Sequence, residues 1–575
     1  MNSLLLALIG VGMILAGYFL YSKFLAAKVY ALDDSRPTPA HTMRDGVDYV
    51  PTNRYVLWGH HFTSVAGAAP IVGPAVAVIW GWLPAFLWVT LGTVFFAGMH
   101  DMGALWASVR NRGQSIGALS GRYVGPRGRN LFLVVIFLLL LMVNAAFAVV
   151  IANLLIATPT AVIPTWGALV VAFLVGQAIY RLNWNLPTVS VVGVVALYAL
   201  IVLGDNMPLA LPETVMGLPA KAVWIILLFV YAGIASMLPV WMLLQPRDYI
   251  NGLQLFIALG ILYGSVLLAR PQIVAPSFNT NVPEGTPGIV PLLFVTIACG
   301  AISGFHGMVS SGTSSKQLDK ESDARFVGYF GAVGEGLLAL GAILATTAGF
   351  KTLTEWESVY QAFNDGGVSA FVEGGGRIVE AGLGLPQSLS ATIMATTAIL
   401  FAATTMDTGV RLQRFVVQEI GDVVGVRIRK NLATVLAVGI ALALTFGAGA
   451  DGSGGMLIWP LFGTTNQLMA GLTLAILAIM LIRRRRNPLP ALVPLVFVGL
   501  VTIYALFIQL GTFWEQQNWL LLVLDVVILV ASVWVIVEAV AAMRAARSYD
   551  GDDHAELLAQ ATRDMESVGD HPPHD

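Results

Sequence analysis

WGHHFTSVAGAAPIVGPAVAVIWGWLPAFLWVTLGTVFFAGMHDMG, residues 58–103, is apolar enough to enter a bilayer, yet it carries His60 and His61 near one end and His100 and Asp101 near the other. Between these pairs lies GAAPIVGP, residues 67–74. Pro70 and Pro74 have no amide proton to donate, and each ring disfavours helix in the residue before it. Backbone that leaves the helix at membrane depth is tolerated only where protein covers it or a wet cavity borders it. In secondary transporters that cavity is usually the substrate site. The stretch therefore predicts an interrupted transmembrane helix beside a polar chamber.

Composition supplies the membrane setting. Of 575 residues, 57% are hydrophobic and only 11% charged, which leaves too little polar surface for a soluble protein of this length. A net charge of -2, with no basic face outside the loops, argues against a nucleic-acid partner. The single Cys299 excludes an intrachain disulfide and a thiolate metal cluster. No GxxxxGK[ST] occurs, which argues against an ATP-driven pump with its own nucleotide site. The run from Leu4 to Tyr21 has no basic segment before it and is followed by Lys23 and Lys28, so it reads as an uncleaved first span.

A search for apolar runs of roughly 17–25 residues gives an all-α polytopic protein with about fifteen spans: 4–21, 62–80, 83–102, 130–157, 165–181, 187–204, 222–244, 251–270, 289–310, 325–349, 386–407, 431–449, 456–482, 490–510 and 518–543. With the N-terminus outside and the C-terminus inside, 27 of the 31 basic residues fall in inner loops, and Lys221, Arg270, Lys351 and Arg377 are the four outside. That asymmetry is the one inner loops are expected to show. Residues 350–385 form the largest outer loop and read as a short capping helix or hairpin, while the acidic, apolar-poor 548–575 reads as a disordered tail.

Further stretches break the plain apolar pattern. ASMLPVWMLLQPRDY, 235–249, places Pro239 after small residues and Gln245, Arg247 and Asp248 at the inner end. ACGAISGFHGMVSSGTSSKQ, 298–317, holds three glycines within eight residues, Phe305, His306 and five hydroxyls from Ser310 to Ser315. FAATTMDTGVRLQRFVVQE, 401–419, puts Asp407 near the membrane edge with Arg411 four residues on, and WPLFGTTNQLMAG, 459–471, buries Asn466 and Gln467 in an apolar run. Singly, each has a structural explanation: hydroxyls bond their own helix and glycines allow close packing. Together with His60, His61, His100, His306 and Asp101, which are costly at membrane depth, they point to a functional site. A histidine titrates near physiological pH, so His60, His61 or His306 suits a coupled proton, whereas His100 and Asp101 also suit a fixed pair at the inner edge.

GHHFTSVAGAAPIVGP, LPVWMLLQPRDY, CGAISGFH with SSGTSSKQ, FAATTMDTGVRLQRFVVQE and WPLFGTTNQL, lying between residues 24 and 480, resemble the carbon starvation protein A family of peptide and pyruvate transporters. The C-terminal end departs from that pattern in being shorter than the large enteric members. The resemblance implies a multi-pass protein of the bacterial inner membrane. Its core would be like that of amino acid/polyamine/organocation transporters, a LeuT-like five-plus-five inverted repeat. Counting five spans on from 62–80 reaches 222–244, which also contains a proline, so the expected repeats are 62–204 and 222–407, with 411–547 as additional helices.

On this reading the chain is a secondary importer of a small carboxylate-bearing nutrient, pyruvate or a short peptide, and needs no cofactor or resident metal beyond a coupling ion, H⁺ or Na⁺. Half-helix N-termini near Gly67–Gly73 and Ser236–Pro239 would face the substrate carboxylate with unpaired amides. The expected substrate site comprises His61, Ser64, Gly67, Ala68, Ala69, Gly73, Ser236, Gln245, Phe305 and His306. The expected coupling residues are His60, His61, Asp101, Ser310, Ser311, Thr313 and Asp407, since hydroxyls suit Na⁺ and His or Asp suit a proton. Competing readings are a membrane enzyme with histidine metal ligands and a receptor that senses without transport. His60 and His61 are adjacent and point apart on a helix, a poor chelating pair.

Overall fold

The structure is a computed structural model that describes residues 2–549 apart from 47, 240, 241, 364, 448, 450 and 453. The acidic tail from 550 onward lies outside the described residues.

All fifteen apolar runs are helical, but not all as single rods. Twelve helices are long and apolar enough to cross a membrane, or thirteen with one bent pair counted as a span. Leaving aside four short α-helices, the order along the chain is α1 (Ser3–Tyr30), the bent pair α2 (Arg54–Ala66) and α3 (Ala69–Trp80), α4 (Trp82–Val109), α5 (Pro126–Ala157), α6 (Pro159–Ile179), α7 (Leu186–Asn206), α8 (Ala220–Met237) and α9 (Leu244–Ala269). Then come the short helices α10 (Ile289–Thr296) and α11 (Gly304–Gly312), then α12 (Arg325–Ala348) and α13 (Gly367–Leu383). The chain closes with α14 (Gln387–Val423), α15 (Lys430–Phe446), α16 (Trp459–Arg483), α17 (Leu489–Glu515) and α18 (Trp519–Arg547). The shortfall from fifteen single spans thus lies in 62–80, 289–310 and 431–449: the first is bent by 44°, the second split in two, the third only 17 residues long.

Helix starts follow the local sequence. Asn53 accepts from the amide of Tyr55 at the head of α2, and Asn185, followed by Pro187, does the same for Thr188 at the head of α7. The interruption between α2 and α3 falls at Gly67, whose φ of +56° and ψ of -159° only glycine adopts without strain. Pro70 sits in the first turn of α3, where its missing donor costs nothing.

One expectation fails. The span 222–244 is not a second interrupted helix: α8 is regular from Ala220 to Met237 and ends there, with Leu238 extended at φ -74° and ψ 153°. Pro239 follows the last turn instead of lying within it, so it stops the helix and does not kink it. Ser236–Pro239 is accordingly a helix C-terminus. Its carbonyls accept from Arg414 (Ser236 O, 2.5 Å), Lys430 (Met237 O, 2.9 Å) and Arg411 (Leu238 O, 3.4 Å), cations at the negative end of the helix dipole. The second interruption lies in 297–303 instead, where no proline occurs and Gly300 at φ +92° turns the chain between α10 and α11. The domain boundary expected between 407 and 411 also falls inside α14, which runs unbroken from 387 to 423.

The most buried helices are α5, α12, α14 and α16, while α1, α6, α7, α9, α17 and α18 keep much apolar surface outside. Helix α5 packs against α14 along its length, α8 and α15 pack together across α5, and α17 and α18 cover α16. Within this apolar core a buried ion network ties four helices. Arg247 of α9 binds Asp248 (2.7 Å) and Asp407 of α14; Tyr231 of α8 donates to Asp407 (2.7 Å); His60 of α2 donates to Asp248 (2.9 Å). Asp407 is therefore a buried partner of Arg247.

Removing one member of a buried ion pair leaves the other charge uncompensated, at about 3–5 kcal/mol. Arg247→Ala is expected to lower the apparent melting temperature and folded yield in detergent sharply. Arg247→Gln with Asp407→Asn should cost less than the two single changes added together, as read by a double-mutant thermal-melt series.

Candidate substrate and coupling site

The two interruptions lie side by side. A Cβ on Gly73 of α3 would stand 2.4 Å from the carbonyl oxygen of Thr296, and one on Gly300 would stand 3.7 Å from Cβ of Pro70. The α2–α3 helix and the α10–α11 helix thus touch where each loses its helical bonding. The freed groups are met by side chains: Thr93 Oγ1 donates to Gly300 O (2.9 Å), Asn466 Oδ1 accepts from the Phe305 amide (3.0 Å) and Ser303 Oγ (3.1 Å), and Thr404 Oγ1 donates to Thr63 O (3.1 Å). Asn466 is thereby the brace of the second interruption.

Around this junction lies a cluster of ionisable side chains, all buried. His100 and His306 each donate Nδ1–H to Asp101, at 2.8 Å and 2.9 Å, so Asp101 bridges α4 and α11. His306 Nε2 in turn lies 3.2 Å from Oε1 of Glu335 on α12. His61 Nδ1 is 2.9 Å from Ser314 Oγ, and its ring lies against Gly331. Cys299 Sγ, His306 and Glu335 place a sulfur, a nitrogen and an oxygen within 4.8 Å of one another. That trio is compact enough for a metal ion, but the thiol already meets Asn466 Nδ2 and Ser303 Oγ, each at 3.4 Å, and the imidazole is shared between two carboxylates.

The expected site residues separate into groups. His61, Ser64, Gly67, Ala68, Ala69, Gly73, Phe305 and His306 all belong to the buried junction. Gln245 does not: its Nε2 donates to Gln317 Oε1 (2.9 Å) at the end of the molecule where the 316–325 loop lies. Ser236 lies on α8, where its Oγ donates to Gly233 O (2.9 Å). His60 belongs to the Arg247 network. Of the hydroxyls, Ser311 and Thr313 bond the carbonyls of Gly307 and Val309 in their own helix, at 2.7 Å and 2.9 Å, and only Ser310 Oγ has no hydrogen-bond partner among the described residues.

Two residues were missed. Glu335 is the only charged residue between Arg325 and Lys351, and a lone acid in AVGEGLLALGAIL is a signal that could have been read. Asn144, inside LMVNAAFAVV, is buried with neither polar atom hydrogen-bonded among the described residues. It faces Gly409 of α14, one turn from Phe147, which touches Gly67. Two cavities approach this region from opposite ends. One of 340 Å³ is lined by Val72, Val76, Asn153, Asp365, Glu373 and Trp459, and one of 320 Å³ by Asp48, Tyr49, Met308, Ser311, Lys316 and Leu412.

Residues 2–354 and 349–505 match the family described as Carbon starvation protein CstA. The chain belongs to that family. Its CstA relatives include Peptide transporter CstA of Campylobacter jejuni, 32% identical over 88% of this chain and 80% of that protein, and Peptide transporter CstA of Bacillus subtilis, 32% identical over 88% and 90%. Pyruvate/proton symporter BtsT of Escherichia coli is 29% identical over 88% and 82%. The fold is similar to the crystal structure of a manganese transporter of Eremococcus coleocola, with a TM-score of 0.52 over 88% of this chain and 99% of that one, at 12% identity. CstA membership and the apolar helices make this a multi-pass protein of the inner membrane.

Gly67 tests the junction of this CstA-family chain directly. A methyl group there would lie 2.7 Å from Thr405 Oγ1 and 2.9 Å from the Phe147 ring, in a backbone conformation that costs a side chain about 1–3 kcal/mol. Gly67→Ala is expected to destabilise by at least that amount in thermal unfolding. Adding Thr405→Ala should recover the steric part only.

Proposed function

We propose that this chain is a secondary transporter importing a small carboxylate-bearing nutrient, pyruvate or a short peptide, in symport with protons. The observation that carries the reading is the contact between two interrupted helices, with ionisable side chains buried around it and cavities reaching towards it from both ends. Interrupted helices meeting inside a membrane protein are the usual setting of substrate and ion sites in secondary transporters. Peptide and pyruvate transport are named for the relatives above, and the substrate class proposed here follows them.

An inverted repeat fits the packing once its second half begins at 289 rather than 222. The first repeat is then α2–α3, α4, α5, α8 and α9, and the second α10–α11, α12, α14, α15 and α16, with α6–α7 an inserted hairpin. Corresponding members meet in support of this: the two interrupted helices at Gly73 and Gly300, α5 with α14, and α8 with α15. The basic-residue asymmetry supports a topology with the 316–325 end, and the 320 Å³ cavity, inside the cell and α13, with the 340 Å³ cavity, outside.

Substrate carboxylate is received at the head of α3, where the amides before Ile71 are free of helical bonding, with Ser64 Oγ and the Asn144 amide as nearby unpartnered polar groups. Protons are favoured over sodium because His306, Asp101 and Glu335 form a titratable chain buried at the junction. A metal enzyme is disfavoured because, in the one compact ligand group among the described residues, the Cys299 thiol meets Asn466 and Ser303 and the His306 ring lies between Asp101 and Glu335. Alternate opening of the two cavities would carry substrate and proton across together.

In proteoliposomes, an inward pH gradient is expected to drive accumulation of labelled pyruvate or a labelled dipeptide, and a sodium gradient at equal pH is not. Binding of either compound without flux under any gradient would establish a receptor and end the transport reading.

A further inference from the structure

The one strongly charged side chain that the helix face toward the junction presents is Glu335. Residues 331, 335 and 339 of α12 fall four apart, on a single stripe. Gly331 lies against the His61 ring, Glu335 against His306, and Ala339 against Gly300 in the second interruption. The Glu335 carboxylate thus stands between two small residues, at the place where both helices lose their regular bonding.

Resting on the transport reading above, we infer that the coupled proton is carried between Glu335 Oε1 and His306 Nε2, and that its presence clamps α11 to α12. His306 gives its Nδ1 hydrogen to Asp101, an acceptor-only group. Its Nε2 therefore meets Glu335 as a bare lone pair when the ring is neutral and the acid ionised. Two lone pairs 3.2 Å apart repel, and the contact attracts only with one proton between them, as imidazolium–carboxylate or as imidazole–carboxylic acid. Besides His306, only the Gly300 main chain in the second interruption approaches the Glu335 carboxylate as a donor, and no cationic side chain other than His306 meets it among the described residues.

The charged and titratable groups facing this pair from the surrounding elements are Asp101 and His100 on α4, Cys299 in the second interruption and His61 on α2. With Asp101 ionised and the shared proton in place, the cluster carries one net negative charge. Losing that proton doubles it inside a low-dielectric core, which drives α11 and α12 apart. The proton enters from the outer cavity, bridges the two side chains with the substrate bound, and leaves to the inner cavity, with no bond other than O–H or N–H made or broken.

Glu335→Gln keeps the shape and removes the proton-binding oxygen. For one coupled proton, a one-unit pH gradient supports about tenfold accumulation of labelled pyruvate in wild-type proteoliposomes. In Glu335→Gln that accumulation is expected to be lost, together with the external alkalinisation that accompanies uptake, while counterflow of labelled against unlabelled pyruvate persists within about threefold. Should the glutamine variant fail to fold, Glu335→Asp is expected to retain accumulation with a displaced pH profile, and an unchanged profile overturns the assignment. Glu335→Gln accumulating like wild type also overturns it, as does loss of counterflow together with accumulation in a monodisperse variant. So does one equivalent of tightly bound transition metal whose chelation stops uptake. A wild-type protein that moves neither pyruvate nor a dipeptide defeats the transport reading itself, and a working transporter indifferent to Glu335→Gln defeats only the relay.

Discussion

Main-chain amides and carbonyls released from a helix inside a bilayer have no water to turn to, so each must find a partner within the protein. The whole junction depends on that requirement being met by a few side chains. Asn466 is the clearest case: one carboxamide holds the Phe305 amide, the Ser303 hydroxyl and the Cys299 thiol at once, from a helix that is largely apolar. Thr93 and Thr404 do the same for Gly300 and Thr63. A helix can be opened here because its neighbours supply what it has given up.

The charged groups obey a related rule. Arg247, Asp248, Asp407 and His60 form one closed network among α2, α8, α9 and α14, with Tyr231 of α8 donating to it. Asp101, His306 and Glu335 form a second, and there two acids share a single imidazole. The first has a guanidinium between its two acids, a cation that does not titrate, and fixes helices in place. The second has an imidazole in that position, which a proton can leave.

Much of this was legible in the chain. The fifteen apolar runs were found because each needs a stretch of hydrocarbon-compatible length, and the interruption at Gly67 was found because Pro70 and Pro74 announce it locally. The second interruption was misplaced for the same reason: proline was the signal followed, and 297–303 bends through glycine and side-chain bracing with no proline at all. Whether Pro239 kinks a helix or ends it depends on whether backbone beyond it continues the turn, a matter of packing that the sequence does not carry. The partners of His60, His61 and Asp407 were likewise unreadable, since Asp248, Ser314 and Arg247 lie 160 or more residues away in sequence and meet them only through the tertiary fold.

The cationic clasp on the end of α8 has a mechanical meaning. Arg411 and Arg414 reach from α14 and Lys430 from α15 to grip three consecutive carbonyls of one helix tail. Three helices fastened at a common point cannot slide independently, so they act as a single strut. Whatever rocks during the cycle does so against that strut, to which α2 is tied through His60 and Thr63, and the moving part is left to α11 and α12.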